Sequence, residues 1–371
     1  LLAETVDKEN RRTDRNNRIA VLGCSGFIGS HLLRYLLHKT AFMVTGIDRD
    51  SSRIADVLGH PHLHFIGTDI YKDPETLRQI IAESSIVISL AALCNPSQYT
   101  SIPIEVIESN FVKPYQLLQI CSENGSWLIH FSTCEVYGKT EVALHSDGSC
   151  GDSREAAPFN EETSQMIVGP VSAQRWCYAV AKQLFERALY AWGSEKKLKY
   201  TIIRPFNFIG PDMDYIPGID GEGTPRVLAC FMKALLTKTP LKLVDGGMNR
   251  RCFTYIDDAV EAVAAVLNNP AASCNQIFNI GNPANEISIK DLAQLMISLY
   301  KELADDEDFG KSYTAEDVSS REFYGLGYED CDRRIPDISN AVRLLGWHPQ
   351  TTLVDALRKT ILAYLEKYSS P

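Results

Sequence analysis

The sequence predicts an α/β fold built on a doubly wound parallel sheet, with a smaller C-terminal α/β lobe. Three observations carry that prediction. Short, β-branched, nearly all-apolar runs alternate with longer helical patterns as far as Arg204. Runs of that kind suit strands buried on both faces, as in parallel sheets covered by crossover helices. A glycine cluster, Gly23-Cys-Ser-Gly-Phe-Ile-Gly29, follows the first run directly, and beyond Arg204-Pro205 the texture turns to Gly, Pro and Asp.

In chain order, residues 1–17 are polar and charged and read as a flexible leader. Residues 18–22 form the first strand, 27–38 a helix and 43–47 the second strand. Strands follow at 64–66 and 86–90, with a helix over 75–83 between them. A helix over 104–123 leads to the strand 127–131, and a helix over 173–192 leads to the strand 200–204. Residues 206–225 read as loop leaving the sheet. Residues 276–281 look like a late strand and 289–300 like a surface helix. The expected division is a nucleotide-binding domain over 18–206, with 251–281 returning to it, and a substrate lobe over 207–250 and 282–371.

Composition narrows the function classes. Of 371 residues, 45% are hydrophobic and 23% charged, ordinary for a soluble globular chain of one large body and a second lobe. A net charge of -10 lacks the basic footprint of a nucleic-acid binder. Apolar runs such as 86–93 are far short of a membrane span. Ten cysteines without a CxxC pair, and no secretory pattern at 1–17, predict reduced thiols and a cytoplasmic setting. His60, His62 and His64 lack a Cys or acid partner at ligand spacing, so no metal is expected.

The glycine cluster lies between a strand and an amphipathic helix, as a dinucleotide fingerprint requires. Gly23, Gly26 and Gly29 suit a tight turn, close approach of backbone N–H groups to pyrophosphate, and helix–strand contact. Asp48, at the end of the second strand, can accept from a ribose 2′-OH and would repel a 2′-phosphate, which favours NAD. Asp69 suits the adenine edge. Phe27, Ile28, Ile70 and Leu90 complete the expected cofactor wall. Such a fingerprint marks the fold as Rossmann-type.

Tyr178 and Lys182, four residues apart, share a helix face that Arg175 joins. A Lys ammonium, with a positive nicotinamide ring, would lower the phenol toward phenolate and make Tyr178 a base for a sugar hydroxyl. Thr133, in Ser132-Thr133 at the end of the fifth strand, would hydrogen-bond the reacting oxygen.

Together, Gly-x-x-Gly-x-x-Gly, Ser-Thr and Tyr-x-x-x-Lys resemble the extended short-chain dehydrogenase/reductases that act on nucleotide sugars. Stretches at 132–138 (STCEVYG), 204–211 (RPFNFIGP), 225–230 (PRVLAC), 241–247 (LKLVDGG) and 333–337 (RRIPD) resemble the branch that decarboxylates UDP-glucuronic acid. This likeness runs from about residue 18 to the C-terminal helix. Residues 167–171 and 60–65 are similar to the bacterial decarboxylase domains of that branch.

The resemblance implies oxidation at C4 with NAD, decarboxylation, and then one of two ends. Re-reduction gives UDP-xylose; retro-aldol opening and aldol closure give the branched UDP-apiose. A decarboxylase that stops at UDP-xylose or the 4-keto pentose stays open. A non-catalytic NAD-sensing binding protein is disfavoured because Tyr178, Lys182 and Thr133 are all present. Arg334 matches the family's active-site arginine, and Glu135 is expected to help at the carboxylate stage. Cys94 and Cys134 end neighbouring strands, ~4.8 Å apart in a doubly wound sheet, so both would face the crevice as proton carriers. Asn207, Arg226, Lys242 and Arg251 are candidates for UDP, and Tyr99 for the sugar. The family's four-helix homodimer would use the apolar surface of 104–123 and 173–192.

Overall fold

The computed structural model describes residues 15–141, 152–153, 156–221, 223–304, 313–324 and 329–368. Most of the expected leader, residues 1–14, lies outside these. Arg15 is held, donating from Nη2 to the Ser84 carbonyl at 3.0 Å and to Ser126 Oγ at 2.7 Å.

Six strands come in chain order: β1 (Arg18–Leu22), β2 (Met43–Asp48), β3 (Leu63–Gly67), β4 (Ile86–Ser89), β5 (Trp127–Phe131) and β6 (Tyr200–Pro205). With the late strand Gln276–Ile280 they form one seven-stranded parallel sheet. From one edge the order is Gln276–Ile280, β6, β5, β4, β1, β2, β3. The apolar runs explain the layering. Ile19 and Val21 of β1 face the layer of Leu32, Leu33 and Leu36 from helix Phe27–Lys39. Ala20 and Leu22 face the opposite layer, with Leu77 and Ile81 of helix Pro74–Glu83 and Phe185 of helix Cys177–Lys196. Period-two side chains thus bury both faces of the sheet. Strand order reverses between β1 and β4, which opens a crevice beyond the carboxyl ends of the strands.

The helix expected over 104–123 is broken. It runs as Pro103–Ile107, a π-helical turn Glu108–Val112 and helix Gln116–Asn124. Lys113 N–H reaches back five residues to the Glu108 carbonyl at 2.8 Å. Pro114, next in line, has no N–H to continue the ladder, so the chain widens there and restarts.

Leaving β6, the loop expected over 206–225 contains a short strand, Phe208–Ile209, paired in parallel with Thr254–Tyr255. Arg250–Cys252 pairs with Glu286–Ser288 and Arg333–Arg334, and Leu241–Val244 with Ala315–Val318. Helix Ile289–Leu303 starts at Ser288, whose Oγ accepts from Asp291 N–H at 3.0 Å. Helix Ile256–Asn268 packs in the same apolar layer as Phe27–Lys39. Among the described residues no helix is long and apolar enough to cross a membrane.

Candidate active site

The nucleotide end of the crevice is shaped by backbone. Gly23 has φ +90, and a Cβ there would meet the Ala91 nitrogen at 2.7 Å. At Gly29 a Cβ would lie 2.1 Å from the Gly23 carbonyl, so the helix could not pack against its own turn. Gly26, at the N-terminus of helix Phe27–Lys39, has only ordinary contacts, and the first helical turn carries no acidic residue. Those N–H groups suit a pyrophosphate. Asp48 closes β2 with Oδ2 accepting from Ser25 N–H at 2.9 Å and Oδ1 from Arg49 N–H at 2.8 Å. Asp69 accepts from Tyr71 N–H and starts the turn Ile70–Lys72, while Leu90 N–H extends the β1–β4 ladder to the Leu22 carbonyl. The residues fit a dinucleotide.

Helix Cys177–Lys196 delivers Tyr178 and Lys182 to the end of β5. Both are buried. Thr133 pulls the Tyr178 phenol down, and its Oγ1 accepts from Glu135 N–H at 3.1 Å. Lys182 Nζ donates to the Phe131 carbonyl at 3.0 Å, and burial pushes it down to about 8 against the support of Cys94 and Glu186. The expected lowering of Tyr178 by Lys182 is not what the chain alone does. Burial, with Cys94 and Glu135 adding to it, pushes the phenol well above its ordinary range, and only Thr133 opposes. The protein by itself keeps Tyr178 protonated.

Both thiols act on this phenol, since Cys94 and Cys134 each raise it. Cys134 opens the turn Cys134–Tyr137, is buried, and is pushed up by loss of hydration, with Arg334 opposing most strongly. Cys94 keeps solvent contact, yet the protein around it withdraws hydration and lifts it, with Arg226 opposing. Tyr99 is placed differently from the sugar contact expected of it. Its ring is 1% exposed, stacks on Tyr178 at 5.0 Å, and its hydroxyl donates to the Cys94 carbonyl at 3.0 Å. It sits behind the reacting groups and holds Cys94.

A cationic cluster faces them. Arg175 Nη1 donates to Glu135 Oε2 at 2.7 Å. Asp330, which the sequence reading passed over, lies among three guanidinium groups: Arg251 at 2.7 Å, Arg334 at 3.5 Å and Arg175 at 3.9 Å. Against the upward push of burial, these charges hold Asp330 at about 2. An acid four residues before Arg334 was the one signal available. Arg334 is 4% exposed, and its Nε has no partner among the described residues.

A cavity of about 1000 Å³ extends from here into the second lobe, lined by Glu135, Arg175, Asn207, Arg226, Lys242, Arg251 and Arg334 among others. That volume suits a nucleotide-sized ligand. Within it Lys242 is exposed, and Asn207 has φ +43 with Nδ2 on the Cys252 carbonyl. Arg226 is already engaged by Asp214 Oδ2 at 2.9 Å and lies over the Phe27 ring at 5.6 Å. It therefore ties the cavity to the glycine turn.

The UDP-D-apiose/UDP-D-xylose synthase of Oryza sativa subsp. japonica is 46% identical over 358 residues, covering 94% of this chain and 89% of that protein. UDP-D-apiose/UDP-D-xylose synthase 1 of Arabidopsis thaliana is 45% identical over 351 residues, covering 92% and 90%. Among solved structures, the PbgP3 protein from Burkholderia pseudomallei superposes with a TM-score of 0.80 at 32% identity, covering 94% of this chain and 96% of that one. The UDP-glucuronic acid 4-epimerase from Bacillus cereus, solved with UDP-glucuronic acid and NAD, has a TM-score of 0.74 at 24% identity, covering 95% and 100%. That last likeness speaks to the fold alone. Residues 19–281, from β1 through the seventh strand of the sheet, match the NAD dependent epimerase/dehydratase family, and the chain belongs to it.

Proposed function

We propose that the chain converts UDP-glucuronic acid to UDP-apiose and UDP-xylose: C4 oxidation, decarboxylation, retro-aldol/aldol ring contraction and re-reduction. One observation carries the reading. Thr133, Cys134 and Glu135 follow one another at the end of β5, where Lys182 reaches the Phe131 carbonyl; Tyr178 stacks on Tyr99, whose hydroxyl holds the Cys94 carbonyl, and Cys134 shares a buried cluster with Ile335, next to the buried Arg334. Groups for redox, carboxylate and carbon-skeleton chemistry thereby meet at one point. The 45–46% identity to proteins named for these two products supports it.

Bound NAD supplies reversible oxidation at the sugar's C4. Tyr178 and Thr133 hold the C4 oxygen and its proton. Arg334, with Nε unpartnered and its nearest carboxylate oxygen at 3.5 Å among the described residues, is placed for the carboxylate on C5. Once C4 is a ketone, that carboxylate is β to it, and CO2 leaves an enolate instead of a bare carbanion. Glu135, oriented by Arg175, is assigned proton transfers at this stage. Ring contraction needs a base at the C2 hydroxyl as C2–C3 opens, and an acid as it recloses. Loss of hydration raises both thiols, so they start protonated at neutral pH. The enolate left by CO2 takes a proton at C5; the thiol that supplies it becomes the thiolate that takes the C2 hydroxyl proton as C2–C3 opens, and it returns that proton to the C2 oxygen as the ring recloses.

In this reading 18–206 with 251–281 form the NAD-binding body, and 207–250 with 282–371 the UDP-sugar lobe. The pairing of Gln276–Ile280 with β6 supports that division. We assign the activity to a cytoplasmic lyase, in keeping with nine described cysteines free of disulfides. A homodimer accounts for Ile104, Val112, Val180 and Leu184, apolar and exposed on the two segments expected to pair.

Incubating purified protein with UDP-glucuronate and reading the products by NMR tests this. Release of CO2 with both linear and branched pentose products is expected. Linear product alone removes the ring contraction; absence of CO2 removes the enzyme class. Cys134→Ser and Cys94→Ser should each depress the branched product more than CO2 release, whereas equal loss of all steps would give the thiols a structural role.

A further inference from the structure

A buried polar network lies directly behind Cys134, and none of the steps above uses it. Its hub is the phenol of Tyr137, the last residue of the Cys134–Tyr137 turn, which is 0% exposed. The Tyr137 hydroxyl accepts from Arg204 Nη1 at 2.7 Å and donates to Asn279 Oδ1 at 2.8 Å. Arg204, at 1% exposure, donates from Nε and Nη2 to both oxygens of Glu186 at 3.1 and 2.7 Å. Glu186 stands one helical turn beyond Lys182 on the catalytic helix. On the other side, Asn279 Nδ2 donates to the carbonyls of Phe159 at 2.9 Å and Asp337 at 3.2 Å. Phe159 pairs with Ile335 and Asp337 through backbone hydrogen bonds of 2.8 Å, immediately after Arg334. Its ring stacks on Tyr137 at 4.6 Å.

One hydroxyl therefore joins three parts that must keep register: the thiol-bearing turn, the helix of Tyr178 and Lys182, and the segment that carries Arg334. The same residues form the apolar wall of the thiol, because Cys134 packs in one buried cluster with Val136, Tyr137, Phe159, Phe206 and Ile335. Burying an ion pair costs several kcal/mol per charge before attraction is counted, and an apolar pair of similar volume can be as stable. Bulk stability alone does not explain an Arg–Glu pair placed here; holding one geometry does.

We propose that Tyr137 is a positioning residue for ring contraction: clamped between Arg204 and Asn279, it fixes the Cys134 thiol relative to Tyr178 and Arg334. The inference rests on the proposed two-product activity. Decarboxylation draws on the ketone, Tyr178, Arg334 and Glu135; Arg175 holds the Glu135 carboxylate at 2.7 Å from outside the turn, so that step tolerates the loss of the Tyr137 clamp better. Proton transfer to and from the carbon skeleton does not, since a displacement near 1 Å can cost on the order of a hundredfold in rate.

The test measures product partition and thermal midpoint together in Tyr137→Phe, Glu186→Gln and, as a control, Ile361→Val, a core change in a different buried cluster. For Tyr137→Phe the ratio of branched to linear product is expected to fall roughly tenfold, with CO2 release changed less than threefold. Glu186→Gln should move the ratio the same way, and Ile361→Val should leave it alone at a similar loss of midpoint. An unchanged ratio in Tyr137→Phe, or an equal fall in all three, overturns the proposal. Should Tyr137→Phe fail to fold, Glu186→Gln against Ile361→Val decides by the same criterion. A wild-type protein that makes no branched product removes the two-product reading and this inference with it.

Discussion

Glu161 should make the protein less stable as pH rises from 4.5 to about 7. Its Oε1 accepts from Asn279 N–H at 2.7 Å, so it sits at the end of the Tyr137 network. Burial pushes its carboxyl up to about 7 from an ordinary 4.5, against the Asn279 N–H and the Arg204 charge, while Asp337 adds to the rise. Below pH 4.5 Glu161 is protonated in both folded and unfolded chains and contributes no difference. Between 4.5 and 7 the unfolded chain releases the proton and the folded chain keeps it, so stability falls as pH rises. Above 7 the whole cost is in place. A difference of 2.5 pH units at 1.36 kcal/mol each amounts to about 3 kcal/mol, reduced to the extent that solvent reaches the partly exposed side chain.

Glu161→Gln keeps an oxygen for the Asn279 N–H and removes the ionisation. Urea unfolding followed by tryptophan fluorescence, at fixed protein concentration and pH 5, 6, 7 and 8, reads the difference between the two proteins. The variant is expected to match the parent near pH 5 and to exceed it by ~2–3 kcal/mol at pH 8. A difference that stays constant with pH, or a variant less stable at pH 8, would refute the placement of Glu161 as a proton-holding carboxyl.

Two further outcomes follow from the site and the surface. Lys182, held down at about 8, should lose its charge as pH rises past that value, so the rate of UDP-glucuronate consumption should fall there. Lys182→Arg should lower the rate but abolish that alkaline limb, and a limb that persists would assign it to another group. Leu184, 46% exposed on the catalytic helix, is expected to lie in the dimer interface. Sedimentation equilibrium should give twice the 41.4 kDa chain mass for the parent and a shift toward one chain for Leu184→Glu; a monomeric parent rejects the homodimer.

What could be read in the sequence was whatever short spacing encodes. The glycine turn, Asp48, and the four-residue step from Tyr178 to Lys182 each depend on neighbours within one turn or one strand. The structure supplies the steric reason for two of the glycines. The break near Pro114 was legible in principle, since a proline inside a helical pattern costs a hydrogen bond, but apolar periodicity on both sides outweighed it. Asp330 and the Tyr137 hub were not legible. Asp330 acquires meaning only when Arg175 and Arg251, distant in the chain, fold around it. Tyr137, Arg204, Glu186 and Asn279 come from four separate elements. Tyr178 shows a different limit: Lys182 and a bound nicotinamide ring together are expected to lower the phenol, while in the chain alone burial sets the direction, which no spacing reveals.

The placement of the thiols also bears on why one site would make two products. After CO2 leaves, the 4-keto pentose can be reduced in place or opened between C2 and C3. The ratio depends only on the difference between two barriers, and 1.4 kcal/mol changes it tenfold. In the proposed mechanism, reduction in place uses the Tyr178 and Thr133 oxygens, which lie on helix Cys177–Lys196 and at the end of β5. Ring opening in that mechanism also uses a thiol that can give and then recover a proton. Burial lifts Cys134 and Arg334 pulls it down, so the acidity of that thiol is a balance of two opposing effects. A shift of the Cys134 side chain within its buried cluster changes that balance while Tyr178 and Lys182 stay anchored on their helix. On the proposed roles, product choice therefore responds to small changes behind Cys134 more steeply than the overall rate does.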